Sequence, residues 1–167
     1  ENRFVVTGAF GTLLHSVDGA EWVTAPPARI IPFVAAYGAG RFVAVGKQGL
    51  IVSSEDGTAW LERNSNTRLP FEGLTYADRQ FVALGHDGNF ATSSDGINWA
   101  LTFGQRGLFT LAYGNGLYLA LDVSTNIWRS TDGRGWGTEF STSGFRPKNI
   151  GFVNGAFFVV GENGSVL

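Results

Sequence analysis

The sequence predicts an all-β protein, a β-propeller built from four-stranded blades with a repeat of about 38 residues. Three observations support this prediction. A Ser-x-Asp-Gly-x-x-Trp motif begins at positions 16, 54, 93 and 130, at intervals of 38, 39 and 37 residues. An aromatic-led apolar segment such as "RFVAVG" (41–46) occurs five times with the same period. The 167 residues include 24 glycines and 14% aromatic but only 16% charged residues, which is typical of many short strands joined by tight turns.

The second unit shows the predicted strands in order. The inner strand "FVAAYG" (33–38) leads through an Ala-Gly turn into "RFVAVG" (41–46), and "GLIVSS" (49–54) and "AWLER" (59–63) follow. Each run is short, rich in β-branched or aromatic residues, and bounded by turn residues. Four strands per 38 residues fit a propeller blade better than they fit a β-solenoid or a sandwich.

The second strand of each unit is apolar on both sides of its pleat. A strand of this kind must be covered on both faces, as when each blade packs between two neighbours. We therefore expect the core to lie between blades.

Counting strands by type predicts about four and a half blades. There are five second strands, five third strands ending with "GSVL" (164–167), four Trp strands and four inner strands. One propeller domain over 1–167 is expected, with units at about 1–28, 29–67, 68–105 and 106–144 and a partial unit at 145–167. We favour a fragment of a larger propeller. There are two alternatives, a five-bladed ring lacking two strands and a ring completed by self-association with another copy. An unpaired strand edge would otherwise promote aggregation.

The recurring motif has a structural explanation in every residue. The Asp carboxylate accepts backbone N–H bonds of its own turn, the Ser hydroxyl bonds across it, and Gly tolerates positive φ. The Trp then places a large ring between blades. We expect turn formation, and neither catalysis nor metal binding, from Ser16, Asp18, Gly19, Trp22, Ser54, Asp56, Gly57, Trp60, Ser93, Asp95, Gly96, Trp99, Ser130, Asp132, Gly133 and Trp136.

Ser-x-Asp-Gly-x-x-Trp resembles the Asp-box (BNR) repeat found in sialidases, sortilin-type receptors, photosystem assembly factors and many bacterial and phage surface proteins. The resemblance covers essentially the whole chain and implies a propeller. It implies no particular activity, because one fold carries many functions. It also favours an extracellular, cell-surface or periplasmic location.

Composition excludes several functions. The net charge is −2 and the twelve basic residues are scattered, which argues against a nucleic-acid partner. The chain has no Cys, so disulfides and thiolate metal sites are excluded. His15 and His86 form no metal-binding motif, and no cofactor is predicted. No apolar run is long enough for a membrane span.

The candidate binding residues lie on the face opposite the motif turns. The loops after the Trp strands vary in sequence, and each holds one Arg that could bind carboxylate, sulfate or phosphate groups. Arg is also a common residue in solvent-exposed loops, and duplication of the repeat alone would give one Arg in each loop. The predicted ligand contacts are Arg29, Arg68, Arg106 and Arg146, with Lys47, His86, Asp87, Asn126 and Glu162 in the adjacent turns.

The function predicted from these residues is non-enzymatic binding or scaffolding, with a glycan or protein ligand on the Arg-bearing face. A fragment of a sialidase-like glycoside hydrolase is one alternative. It lacks support because the tyrosines repeat at strand positions and no two acids outside the motifs form an evident dyad. A purely structural propeller assembled from several chains is the other alternative.

Overall fold

The computed structural model describes residues 3–8, 11–25, 32–141 and 145–167. Within these residues seventeen strands form five antiparallel sheets, which we number 1 to 5 along the chain. Each sheet is a meander in which consecutive strands pair, as expected for short strands joined by tight turns.

The strands follow the repeat. Sheet 1 contains β1 (Phe4–Gly8), β2 (Thr12–Ser16) and β3 (Val23–Thr24). Sheet 2 contains β4 (Pro32–Gly38), β5 (Arg41–Gly46), β6 (Ile51–Ser54) and β7 (Leu61–Glu62). Sheet 3 contains β8 (Gly73–Ala77), β9 (Gln80–Leu84), β10 (Asn89–Ser93) and β11 (Ala100–Phe103). Sheet 4 contains β12 (Leu108–Gly114), β13 (Leu117–Asp122), β14 (Asn126–Ser130) and β15 (Gly137–Ser141), and sheet 5 contains β16 (Pro147–Val153) and β17 (Ala156–Gly161).

The last predicted strand, "GSVL", is shorter than expected. It forms a single bridge between Val160 and Val166, and the backbones of Val159 and Leu167 exchange two hydrogen bonds. Sheet 5 therefore contains two strands and the beginning of a third.

The core lies between the sheets, as the two-sided apolar strands predict. Val43 and Val45 of sheet 2 pack with Phe81 and Ala83 of sheet 3, and all four side chains are completely buried. Equivalent clusters join sheet 3 to sheet 4 and sheet 4 to sheet 5. The middle sheets are thus stabilised by their neighbours on both sides.

Inner strands of successive sheets approach closely at a glycine. A Cβ atom on Gly114, at the end of β12, would overlap the ring of Phe152 in β16. Gly38 has the same relation to the ring of Tyr76. At these two positions a side chain would occupy the space of the aromatic ring of the next sheet, so glycine is required there.

Candidate functional site

The motif turns join the third and fourth strands of a sheet and use their polar groups internally. In sheet 3 the Ser93 hydroxyl donates to Asp95 (2.9 Å) and accepts the N–H of Gly96 (2.8 Å). Asp95 Oδ1 also accepts the N–H groups of Ile97 and Asn98, both at 2.8 Å. The motif carboxylates of Asp18, Asp56 and Asp132 make the same pair of backbone bonds.

These bonds fix the ionisation of the motif carboxylates. Burial acts to raise the pKa of Asp95, but the N–H donors of Asn98 and Ile97 outweigh it and hold the pKa well below the ordinary value. The N–H groups of Glu21 and Ala20 lower the pKa of Asp18 in the same way. Because these groups are ionised and hydrogen-bonded in their own turns, the motif carboxylates are not available as free acids for chemistry.

A cleft opens between sheets 4 and 5 on the opposite face, where second strands turn into third strands and fourth strands lead to the next sheet. We call it the 4/5 cleft. Its volume is about 730 Å³, and its walls include Phe109, Asp122, Val123, Ser124, Thr125, Phe145, Arg146, Pro147, Lys148 and Glu162. Two of the predicted ligand contacts, Arg146 and Glu162, therefore lie together in one concave site.

Bulges place side chains at the rim of this face. The pairing of β12 with β13 shifts at Phe109, and the pairing of β16 with β17 shifts at Lys148. The pairing of β4 with β5 shifts in the same way at Phe33. A bulge redirects one side chain out of the regular alternation. Each of these residues lies 14 positions before a residue of the next turn, namely Val123, Glu162 and Lys47 respectively.

The bulge residue and the turn residue interact across the two strands. Lys148 Nζ lies 2.9 Å from Glu162 Oε1, and Lys47 Nζ lies 5.9 Å from the centre of the Phe33 ring. Phe109 and Val123 line the 4/5 cleft together. The pair occupies the same position in sheets 2, 4 and 5, but its chemistry differs. It is a cation and an aromatic ring in sheet 2, two apolar side chains in sheet 4 and an ion pair in sheet 5.

The charged groups of the 4/5 cleft are accessible. The side chain of Arg146 is 80% exposed and that of Lys148 is 62% exposed, and Arg146 Nε lies 3.9 Å from Glu162 Oε2. The hydrogen bond and charge of Lys148 lower the pKa of Glu162 below its ordinary value. One carboxylate therefore lies between two cations, so these three exposed side chains together carry one net positive charge. The second carboxylate of the cleft, that of Asp122, is buried in the opposite wall.

A glycine holds the cleft loop against its turn. A Cβ atom on Gly161 would lie 2.6 Å from the carbonyl oxygen of Arg146, and the N–H of Glu162 donates to the same oxygen at 3.0 Å. This contact positions Arg146 next to Glu162, because the loop backbone is tied directly to the turn.

The other wall of the cleft is a turn that departs from the repeat. Asp122 stands where the other second strands end in Gly, and it is buried. Its carboxylate accepts from Ser124 N–H, Asn126 N–H, Asn126 Nδ2 and Trp128 Nε1 at 2.8–2.9 Å. Burial acts to raise the pKa of Asp122, but the bonds from Asn126, Trp128 and Ser124 outweigh burial and lower it, so this acid stays ionised and occupied.

Thr125 in this turn has a φ of 72°, a left-handed conformation that β-branched residues rarely adopt. The equivalent residues Gly49, Gly88 and Gly164 have the same sign of φ. The hydrogen bonds of Asp122 hold a turn that glycine forms elsewhere, and strain of this kind is concentrated at functional sites.

The remaining predicted contacts lie at other turns. Arg29 is outside the described residues. The loop at Arg68 packs on the turn of sheet 2, where a Cβ on Gly49 would overlap the carbonyl oxygen of Thr67. The stem of Arg106 lies against Gly88 in the turn of sheet 3, beside the exposed residues His86 and Asp87. The three described arginines thus lie beside three different turns, and Asn126 is engaged with Asp122.

Sequence reasoning missed Lys148, Phe109 and Phe145. The sequence contains one signal for this position. When the four units are aligned, it varies between strand residues that repeat, and it is occupied by Phe33, Glu72, Phe109 and Lys148. The bulge that turns the position towards the cleft follows from the strand pairing.

Comparison with solved structures decides the fold. YCF48 bound to a D1 peptide superimposes with a TM-score of 0.73 at 16% identity, over 97% of this chain and 60% of that chain. YCF48 from Cyanidioschyzon merolae gives 0.71 at 14% identity, over 97% and 61%. An ancestral GH74 enzyme gives 0.74 at 12% identity, over 96% and 26%. The fold is that of a β-propeller.

The five sheets are therefore propeller blades, and this chain spans about three fifths of the length of the YCF48 chains. No protein family model matches the sequence, and no curated protein does. In the described ranges no three His, Cys, Asp or Glu side chains are grouped as metal ligands would be. The same ranges hold no helix with the length and apolar character of a membrane-crossing segment.

Proposed function

We propose that this protein is a non-enzymatic binding module of the Asp-box type and that its ligand is an acidic segment of another protein, held in the 4/5 cleft. The observation that carries the proposal is the placement of Arg146 and Lys148, both largely exposed, beside the aromatic walls Phe109 and Phe145. Guanidinium and ammonium groups bind carboxylates, while the rings bury apolar side chains.

One of the similar structures supports a peptide ligand, because it is YCF48 bound to a D1 peptide. A glycan is the other ligand expected from the sequence. The two carboxylates in the walls of the cleft do not support a hydrolase, since Asp122 is occupied by its turn and Glu162 is paired with Lys148. An extracytoplasmic location stays a prediction of the Asp-box resemblance.

The test is fluorescence polarisation with a short labelled peptide that carries Glu and Leu side chains and a free C-terminal carboxylate. Arg146→Ala should weaken binding about tenfold, since a hydrogen bond to a charged group contributes about 1.5 kcal/mol. Lys47→Ala, a cation of sheet 2 outside this cleft, is the matched control and should leave the affinity unchanged.

Glu162→Gln gives a change in the opposite direction. Removing this carboxylate frees Lys148 and Arg146 for the ligand, so binding of the acidic peptide should become several-fold tighter and more sensitive to salt. A glycan array that gives signal where acidic peptides give none, or turnover of a glycoside, would overturn the peptide proposal.

A further inference from the structure

In sheets 2 and 3 the loop after the fourth strand lies directly on the turn between the second and third strands. A Cβ atom on Gly49 would overlap the carbonyl oxygen of Thr67, and a Cβ atom on Gly88 would lie 2.6 Å from the carbonyl oxygen of Gly104. The N–H of Gly104 also donates to the carbonyl oxygen of Gly88 at 2.8 Å. In both sheets a glycine with positive φ therefore allows the loop backbone to reach the turn.

The turn of sheet 4 has a side chain at this position. Thr125 takes the place of Gly49 and Gly88, and its φ of 72° is close to their values of 74° and 82°. Because the backbone conformation is alike, the Cβ of Thr125 points to the side on which the loop backbone lies in sheets 2 and 3. A β-branched residue rarely adopts this conformation, so the side chain is present despite the strain that it causes.

The fourth strand of sheet 4 also departs from the repeat. Ile127 pairs with Phe140 and Trp128 pairs with Thr138, so β15 contains one additional residue at this point. In sheet 3 the pairing of β10 with β11 continues without a shift. A bulge bends its strand and changes the direction in which the chain leaves it. Both the turn and the strand beside it are thus altered in the sheet that forms one wall of the 4/5 cleft.

The change in sheet 4 is restricted to one side of the turn. On the other side the N–H of Val123 donates to the carbonyl oxygen of Gly107 at 3.1 Å, which ties the turn to the loop that precedes sheet 4. The carboxylate of Asp122 fixes the backbone of the turn through four hydrogen bonds. The turn as a whole is therefore held in place, and Thr125 lines the side that faces the cleft.

We propose that Thr125 keeps the 4/5 cleft open, because its side chain prevents Phe145 from closing on the turn. In sheets 2 and 3 the loop backbone fills the equivalent space, whereas in sheet 4 Thr125 and Phe145 both line the cleft. Thr125 is thus a positioning residue for the acidic ligand. This role rests on the proposed function, but the effect of Thr125 on the shape of the cleft does not.

The first test compares the crystal structures of Thr125→Gly and Thr125→Asn without ligand. Glycine and asparagine adopt the left-handed conformation more readily than threonine, so both variants should have a higher thermal unfolding midpoint than the wild type. Only Thr125→Gly removes the side chain. The cleft should therefore be narrower in Thr125→Gly, with Phe145 closer to the turn, and should keep its wild-type width in Thr125→Asn.

The second test measures the affinity of both variants for the labelled acidic peptide. Thr125→Gly should weaken binding about tenfold although its thermal midpoint rises, and Thr125→Asn should rescue the affinity. A residue with a merely structural role would change stability and affinity in the same direction. If the wild-type chain binds no acidic peptide, the proposed function fails, while the two crystal structures still decide whether Thr125 opens the cleft.

Gly88→Asn adds a side chain at the equivalent position of sheet 3 and serves as the matched variant. Asparagine tolerates the φ of 82° at this position, so the main change is the contact of its Cβ with the carbonyl oxygen of Gly104. The thermal midpoint should fall and the peptide affinity should stay unchanged, because this turn lies outside the 4/5 cleft. An unchanged midpoint in Gly88→Asn, a cleft of wild-type width in Thr125→Gly, or a midpoint that falls together with affinity in Thr125→Gly would each overturn the proposal.

Discussion

The carboxylate of Asp95 is the residue on which the turn of sheet 3 depends. It accepts two backbone N–H groups, the Ser93 hydroxyl and the Asn98 side-chain amide, all at 2.8–2.9 Å. Asp95→Ala should lower the free energy of unfolding by about 1–2 kcal/mol, as loss of a side-chain cap does. Urea denaturation measures the change. Asp87→Ala, an exposed turn aspartate, should stay within about 0.5 kcal/mol of the wild type, and an equal loss in both variants would contradict the role given to Asp95.

The lowered pKa values of the motif carboxylates set the acid stability of the protein. The N–H donors that bind Asp18 and Asp132 favour their ionised forms in the folded state. Their contribution is complete above the unfolded pKa of about 3.9 and is lost as the pH falls through the lower folded pKa. We expect the urea midpoint to be level near pH 5 and to fall below about pH 4. The dependence should be shallower in Asp95→Ala, and a midpoint that drops between about pH 6 and 5 would speak against this origin.

At the element level, the spacing between neighbouring sheets depends on Gly38 and Gly114, which end two of the inner strands. Gly114→Ala would place a methyl group inside the space of the Phe152 ring, and overpacking of this kind costs about 1–3 kcal/mol. Thermal unfolding should show a lower midpoint than in the wild type. Gly151→Ala in the next inner strand is the matched control, because its new Cβ meets no atom within 4 Å. Equal midpoints for the two variants would refute the close approach.

Among the strands and turns, the sequence predicts the strand order and the motif turns but not the bulges. Strand order and motif turns follow from local patterns, since Asp-Gly turns and aromatic-led strands repeat at fixed spacing. The bulges at Phe109 and Lys148 do not, because the hydrophobic pattern around them gives no sign of a one-residue shift. The role of Asp122 was missed for a related reason, since its partners are distributed along a turn whose sequence has no counterpart in the other units.

For the whole molecule, stability should decrease from the middle to the ends. Among the described residues, sheets 2 to 4 have four strands each and are covered on both faces, whereas sheets 1 and 5 have three and two strands and one apolar face that no described residue covers. Amide hydrogen exchange of the 167-residue chain should be slowest in β9 and β13 and faster in β17. Uniform protection along the chain would show that the end sheets gain stability from another source.

The arrangement of the predicted loop arginines is determined at the scale of the whole molecule. The sequence correctly indicates the loops that surround the opposite face, because their spacing follows the repeat. It does not show that Arg68, Arg106 and Arg146 lie beside three separate turns, since the path of each loop is set by contacts such as that of Arg146 O with Gly161.

Under the proposed function, the paired positions at the rim, one on the bulge and one in the turn 14 residues later, allow ligand recognition to evolve separately from folding. Each duplicated repeat contains its own copy of the pair. The two codons can change without altering the Ser-x-Asp-Gly-x-x-Trp motif that closes the turn on the other face. Ligand specificity can then change one blade at a time, through two substitutions, while the neighbouring blades keep the shape of the protein. The same property makes the rim suited to combinatorial libraries, in which positions such as Phe33 and Lys47 are randomised together on an unchanged scaffold.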